Sequence, residues 1–208
     1  GSDEVWEKAE TALEEASKIY KLNYKRVENE AAFYGPKLDF MFNDAIGREW
    51  QLATIQCDFN LPERFDLAFT NEKGEKERPV VIHRAISGSL ERFMGVMIEH
   101  FAGNFPVWLS PTQIKIIPVR ENHNEFAKKV ADELRVLGIR VDLDDADEGM
   151  GKKIRNGKNM KVPYMLVIGD KEIESGELAL EIRDGAKQEK ISLENLKARL
   201  EKEIKERI

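Results

Sequence analysis

The run Val80-Val81-Ile82-His83-Arg84-Ala85-Ile86-Ser87-Gly88-Ser89-Leu90-Glu91-Arg92-Phe93 sets an apolar strand, a small-residue turn and a helix start around one histidine and one Glu-Arg pair. Residues 79–82 suit a buried strand. Gly88 and Ser89 open a helix whose Leu90, Phe93, Met94, Met97, Ile98 and Phe101 recur at helical spacing. Glu91 and Arg92 fall in its first turn. Free N–H groups and partial positive charge gather at a helix start. An Arg there makes a strong anion seat, because its planar fork pairs with phosphate oxygens two at a time. The plainer alternative is an amphipathic core helix carrying a surface ion pair, and the segment by itself leaves both open.

Upstream of this run the hydrophobic period is two. Leu38, Phe40 and Phe42 alternate with Asp39, Met41 and Asn43, residues 44–47 supply turn chemistry, and residues 50–59 return, which is the pattern of a β-hairpin. Residues 65–70 and 79–86 add two further strands around an Asn71-Glu72-Lys73-Gly74 turn, so an antiparallel sheet leads into the helix that ends near Phe101. Strands followed by a helix on one face imply an α+β layer. Ahead of the hairpin, Val5, Trp6, Ala9, Leu13, Ala16, Ile19 and Tyr20 form one stripe of an amphipathic helix, with Asp3 its expected cap.

Downstream, Pro106 and Pro111 interrupt both periodicities, and a boundary is set at 108/109, giving domains 1–108 and 109–208. The second domain reads as a strand at 114–119, then a helix with Phe126, Val130, Leu134 and Leu137 inward, stopped by Gly138. A strand at 139–143, a helix over about 148–155, an apolar strand at 162–168, a turn at Gly169-Asp170 and a strand at 178–182 follow. Ser192 caps a last helix with Leu193, Leu196, Leu200 and Ile204 on one side. This order predicts an α/β domain with a mixed sheet flanked by helices.

The formal charge of −6 argues against a general nucleic-acid binder, because phosphate contacts need clustered cations. The average hides a reversal. Asp142, Asp144, Asp145, Asp147 and Glu148 are followed by Lys152, Lys153, Arg155, Lys158 and Lys161 with no intervening acid, either a local field or a solvated charged face. No run approaches the roughly 18 apolar residues that span a bilayer, and no basic-then-apolar leader is visible, so no membrane partner is expected. The single Cys57 cannot pair within the chain, which suits a reducing compartment, and cytoplasmic location is the expectation. Cys57 reads as a small buried apolar group, and His100 and His123 as surface or boundary residues.

Several longer motifs stand in order: Ala32-Phe33-Tyr34-Gly35-Pro36-Lys37; Trp50-Gln51-Leu52 with Thr54-Ile55-Gln56 and Asp58-Phe59-Asn60-Leu61-Pro62; Ile82-His83-Arg84-Ala85 with Gly88-Ser89 and Glu91-Arg92-Phe93; and Val162-Pro163-Tyr164-Met165 with Gly169-Asp170-Lys171-Glu172. With these the chain resembles the threonyl-tRNA synthetase family, over the motif 3 half of the class II catalytic core and the anticodon-binding domain. The resemblance implies a two-step ligase reaction: threonine attacks the α-phosphate of ATP, with Mg2+, to give threonyl-adenylate and pyrophosphate, and the activated carboxyl then passes to tRNA-Thr. It implies that Arg92 holds ATP phosphate oxygens and that Ser89 contacts the nucleotide. Gln51, Thr54 and Gln56 would address nucleotide and amino acid from one strand, and Tyr34 and Lys37 would position substrate. His83 would be one of three protein ligands of a zinc ion (Zn2+). Such an ion selects, since a site that must ligate a hydroxyl rejects the isosteric methyl analogue valine far better than an apolar pocket does. Without the resemblance, a histidine placed like His83 at the end of an apolar strand is more often a hydrogen-bonded core histidine than a ligand. Arg155 and Glu172 are the implied anticodon readers with Lys161 beside them; Lys152, Lys153 and Lys161 would touch phosphates.

The resemblance also sets limits. Motif 1, motif 2 and the family's other two zinc ligands match nothing in these residues, so a C-terminal fragment, inactive by itself, is expected, from a parent that dimerises. Asp147 and Glu181 replace residues common in the family and put its full set of anticodon contacts in doubt. The alternatives are a stand-alone module that binds an RNA anticodon stem and a non-catalytic paralogue. His83 and Arg92 are expected to face one pocket across the strand-to-helix junction.

Overall fold

The computed structural model describes residues 2–183, 185 and 188–208, and the chain divides into two compact units, Gly1–His100 and Phe101–Ile208. The first unit begins with α1 (Asp3–Ile19), which starts one residue earlier than an Asp3 cap would have it: Ser2 is the N-cap, without a side-chain cap bond. Its Trp6 meets Phe59 edge-on with ring centroids 5.3 Å apart. The hairpin forms as β1 (Lys37–Asn43) against β2 (Glu49–Asp58), and β2 pairs on its other side with β5 (Val81–Ala85), giving an antiparallel sheet in the order β1-β2-β5. The hairpin turn is organised by one buried carboxylate. Asp44 accepts from the N–H of Ile46 (3.1 Å) and Arg48 (2.8 Å), from Arg48 Nε (2.5 Å) and from Trp50 Nε1 (2.9 Å). Burial pushes its pKa up, but the bonds from Trp50 and Arg48 outweigh that and hold it well below the usual carboxylate range.

The strand expected at 65–70 is not part of this sheet. A short helix α2 (Asn60–Arg64) follows β2, and β3 (Phe69–Thr70) pairs only with β4 (Lys76–Glu77) as a separate two-stranded ribbon. The turn at 71–74 forms as expected, with Asn71 Oδ1 accepting from the N–H of Lys73 and Glu75. Only two exposed residues lie on each side of it, too few to reach the main sheet. The helix α3 (Leu90–Phe101) closes the unit.

The second unit carries a five-stranded mixed sheet. Its strands are β6 (Ile114–Pro118), β7 (Val141–Leu143), β8 (Tyr164–Ile168), β9 (Glu177–Ile182) and β10 (Glu189–Ser192), in the order β10-β9-β8-β6-β7. β6 runs parallel to β7 and β8; β8-β9 and β9-β10 are antiparallel. Ile114, Ile116, Leu166, Leu178 and Leu180 bury one face under Val130 and Leu134 of α4 (Asn124–Val136) and Leu196 and Leu200 of α7 (Leu193–Glu206). Ser192 Oγ accepts from Asn195 N–H at 3.3 Å, the expected cap. The opposite face of β6 and β8 takes α5 (Met150–Asn159). A Cβ on Gly157 would come 2.5 Å from Met165 Sδ and 3.2 Å from Lys115 Cδ, so the glycine lets this helix press onto the sheet. The helix read at 148–155 thus begins two residues later and runs further.

Two readings of this unit are corrected. Gly169-Asp170 is not a simple turn but the start of α6 (Asp170–Ser175), nucleated because Glu172 Oε2 reaches back to Gly169 N–H at 2.9 Å. His123 is not a surface residue. It is 1 % exposed at the end of a 3-10 turn (Glu121–His123), its Nδ1 accepting from Arg120 N–H (3.1 Å) and its Nε2 bonded to Asp170 Oδ1 (2.9 Å). Residues just before 109 also pack with this unit: Val107 lies in its core, and its carbonyl accepts from Gln113 Nε2 at 2.9 Å. No helix among the described residues is long and apolar enough to cross a membrane.

Candidate functional site

The sheet of the first unit gathers the polar residues singled out above along β2. The β1–β2 register slips between Phe40 and Met41, where Ala53 and then Gln51 are the partners, so Leu52 is the extra residue of a β-bulge. A bulge resets the alternation, and Gln51 therefore joins Thr54 in reaching one carboxylate. Asp39 Oδ1 accepts from Gln51 Nε2 (2.8 Å) and Thr54 Oγ1 (2.7 Å), while Asp39 Oδ2 lies 2.6 Å from Lys37 Nζ. Four residues thus form one cluster. Asp39 was not among the expected site residues, although it shares strand parity with Lys37, which was the signal for it.

At the far end of β2, Gln56 lies opposite His83 in the β2–β5 register, and Tyr34 hydroxyl donates to Gln56 Oε1 at 2.9 Å. The Tyr34 and His83 rings stand 6.1 Å apart, edge to face. The segment ahead of β1 is tied down by backbone bonds from Cys57 N–H to the Pro36 carbonyl (3.0 Å) and from Phe59 N–H to the Tyr34 carbonyl (3.3 Å). His83 Nε2 lies 2.8 Å from Asp58 Oδ2, and Asp58 Oδ1 accepts from the N–H of Asn60 (3.0 Å) and Leu61 (2.9 Å). Burial raises the Asp58 pKa, yet the bonds from Leu61, His83 and Asn60 outweigh it and keep the carboxyl below its usual range. Cys57 is buried, which pushes its thiol pKa up.

Gly88 marks the junction into α3. Its φ is +62°, and a Cβ there would lie 2.6 Å from the Leu52 carbonyl oxygen, so only glycine lets the turn rest on the bulge. Ser89 Oγ then accepts from Arg92 N–H (3.1 Å), and Arg92 Nη1 reaches the Gln51 carbonyl (3.3 Å). His83 and Arg92 do not face each other across a few ångströms. They mark opposite ends of β2, a separation of about 15 Å at strand rise, with the Gln and Thr side chains between. Among the described residues no three His, Cys, Asp or Glu side chains are grouped to hold a metal ion. His83 is a single nitrogen donor there, and one ligand does not make a zinc site.

In the second unit the basic run resolves into separate fates. Lys153 is buried, with its ammonium on the Asp144 carbonyl at 2.9 Å, so it is no phosphate contact. Lys152 pairs with Glu148 at 2.6 Å, Lys158 with Glu181 at 2.6 Å, and Lys161 donates to the Ala102 carbonyl. Asp142 and Asp144 flank the buried Lys115 at 2.7 and 2.8 Å; burial lowers the Lys115 pKa, but the two acids outweigh it and leave it raised. Arg155 is exposed, and among the described residues its side chain has no hydrogen bond or ion pair. Glu172 commits Oε2 to Gly169 N–H.

Comparison with known proteins accounts for this arrangement. Residues 2–101 match the class II tRNA synthetase core domain shared by the G, H, P, S and T enzymes, and residues 113–203 match the anticodon binding domain. A threonine–tRNA ligase from Caldanaerobacter subterraneus subsp. tengcongensis is 50% identical over 204 residues, 98% of this chain and 32% of that protein. One from Synechococcus elongatus is 49% identical over 208 residues, 100% of this chain and 34% of that protein. The solved RNA binding domain of threonyl-tRNA synthetase from Cryptosporidium parvum Iowa II superposes with a TM-score of 0.86 at 40% identity, over 97% of this chain and 51% of that one. An antiparallel core sheet followed by an anticodon-binding unit places the chain among class II aminoacyl-tRNA synthetases. It spans about a third of the length of the curated relatives it matches. Within the class, it belongs to the threonyl-tRNA synthetase family.

Proposed function

We propose that this chain supplies one wall of the active site and the anticodon-reading unit of a threonine–tRNA ligase that activates threonine with ATP and Mg2+ and transfers it to tRNA-Thr. The observation that supports it is the polar face along β2: a guanidinium at the Gln51 carbonyl, an imidazole across from Gln56, and hydrogen-bonding side chains between. An elongated face suits two substrates laid end to end. Arg92 stabilises charge on the phosphate oxygens as pyrophosphate leaves, and Ser89, which holds the start of α3, borders the nucleotide. Lys37, Gln51 and Thr54 work as a set around Asp39, whose carboxylate fixes each donor before substrate arrives. Tyr34 and Gln56 line the amino-acid end beside His83. Its imidazole is one expected ligand of a zinc ion that, when bound, discriminates by coordinating the substrate's amino and hydroxyl groups; the remaining ligands would come from outside these residues. In the second unit Arg155 pairs with a base edge through its unused fork, Glu172 accepts from a base N–H through Oε1, and Lys161 borders them. Homodimerisation and cytoplasmic location belong to the same reading.

The test is threonine-dependent ATP–pyrophosphate exchange with this segment carried in the full-length ligase. Arg92→Ala is expected to lower the rate by about 10²–10³-fold, the usual cost of losing a charge-stabilising donor, and His83→Asn to lower the bound zinc. Unchanged exchange in Arg92→Ala contradicts the assignment. A second reading, a stand-alone RNA-binding module, is favoured by the completeness of the second unit's core; it requires tRNA binding by the 208-residue chain with no exchange activity.

A further inference from the structure

We infer that Asp58 is the positioning residue of the His83 site: its buried carboxylate holds the imidazole as the Nε2–H tautomer and turns the Nδ1 lone pair outward. The inference rests on the reading of His83 as an electron-pair donor proposed above. Three observations carry it. The Asp58 side chain is 0% exposed while that of His83 is 43% exposed, so the ring meets a sealed acid at Nε2 and keeps part of its surface accessible. Among the described residues, Nδ1 has no hydrogen-bond partner, whereas Nε2 is 2.8 Å from Asp58 Oδ2. The carboxylate is itself immobilised, because Oδ1 accepts the N–H groups of Asn60 and Leu61 at the start of α2. A carboxylate that accepts from one ring nitrogen fixes the proton there and raises the basicity of the other, which is how a histidine donor is commonly oriented.

The same geometry makes the idea breakable. In Asp58→Asn the two backbone donors retain the amide oxygen at the Oδ1 position, so the amide NH2 faces His83 and donates to Nε2. The proton must then move to Nδ1, and the outward lone pair is lost while the start of α2 stays capped. The probe is long-range 1H–15N correlation of the imidazoles in the 208-residue chain at about pH 8.5, above the ordinary histidine range. The wild type is expected to show His83 with Nε2 protonated and Nδ1 bare, and Asp58→Asn the reverse. Asp58→Ser, which can still cap but is too short to reach the ring, is expected to give a mixture and serves if the Asn variant does not fold. His123, locked between Arg120 N–H and Asp170, is an internal reference that stays Nε2–H throughout. A wild-type ring protonated at Nδ1, or a ring left unchanged by both substitutions, overturns the role of Asp58. Because no metal enters the measurement, that failure is separate from failure of the ligand reading, which shows as zinc retained by the full-length protein after His83→Asn.

Discussion

The two units solve the same folding problem by different means. In the second, the interior strand β6 is buried on both faces, with Ile114, Ile116 and Ile117 at 0% exposure and helices contributing Leu134, Leu196 and Leu200, also at 0%. In the first, α3 has no buried residue; its Leu90, Met94 and Ile98 are 67%, 51% and 49% exposed, and Ile82 of β5 is 64% exposed. Three carboxylates do much of the ordering there: Asp44 in the hairpin turn, Asp39 across β1 and β2, and Asp58 between β2, β5 and α2. Directional bonds can therefore fix a polar site where packing is thin, at the cost of stability, while the anticodon-binding unit rests on a closed hydrocarbon core.

The largest expected contrast is between apolar truncations. Leu166→Ala opens a hole in the closed core and should cost about 2–5 kcal/mol, whereas Met94→Ala on exposed α3 should stay within about 0.5 kcal/mol. Urea unfolding followed by unit-resolved amide exchange measures both, and equal losses would erase the distinction. Glycine-to-alanine changes in the two helices come next and should have opposite signs. Gly157→Ala drives a methyl toward Met165 and Lys115 and should cost about 1–3 kcal/mol, while Gly95→Ala on α3 meets nothing within 4 Å and should stabilise by up to about 1 kcal/mol.

A smaller effect is the acid response of the first unit. Asp44 and Asp58 have folded pKa values below the ordinary 3.8, so their contribution is complete above that value and is lost as pH falls through the folded values. Stability of the hairpin should therefore decline below about pH 4. Asp44→Asn should flatten that limb, as read from the Trp50 indole N–H resonance, and an unaltered pH profile would remove Asp44 from the account.

Much of this was legible because local rules and tertiary demands agree. The β1–β2 hairpin, the Ser192 cap, the Gly138 stop and the apolar strand β8 each combine period and punctuation in adjacent residues. What escaped depends on partners distant in sequence. Lys115 sits among isoleucines, and the acids that neutralise it are Asp142, its register partner on β7, and Asp144, just after that strand. His123 is tied down by Asp170, which arrives from the start of α6, 47 residues on. The six-residue α6 is too short to show a period and depends on one Glu172 bond. In the site, the β-bulge at Leu52 reassigns Gln51, and His83 and Arg92 prove to be the ends of a face rather than neighbours. Asp58 carried a readable clue, since an Asp two and three residues ahead of Asn60 and Leu61 is the spacing of a side-chain cap.

The most direct check on the functional division is fluorescence-anisotropy titration of the 208-residue chain with tRNA-Thr at one fixed salt concentration, comparing wild type, Arg155→Ala and Lys152→Ala. Arg155 is unengaged among the described residues whereas Lys152 is paired with Glu148, so Arg155→Ala should weaken binding by about tenfold or more, the worth of a good base-edge pair. Lys152→Ala should change it little. Undiminished affinity in Arg155→Ala would contradict the assignment of the α5 face as the anticodon reader.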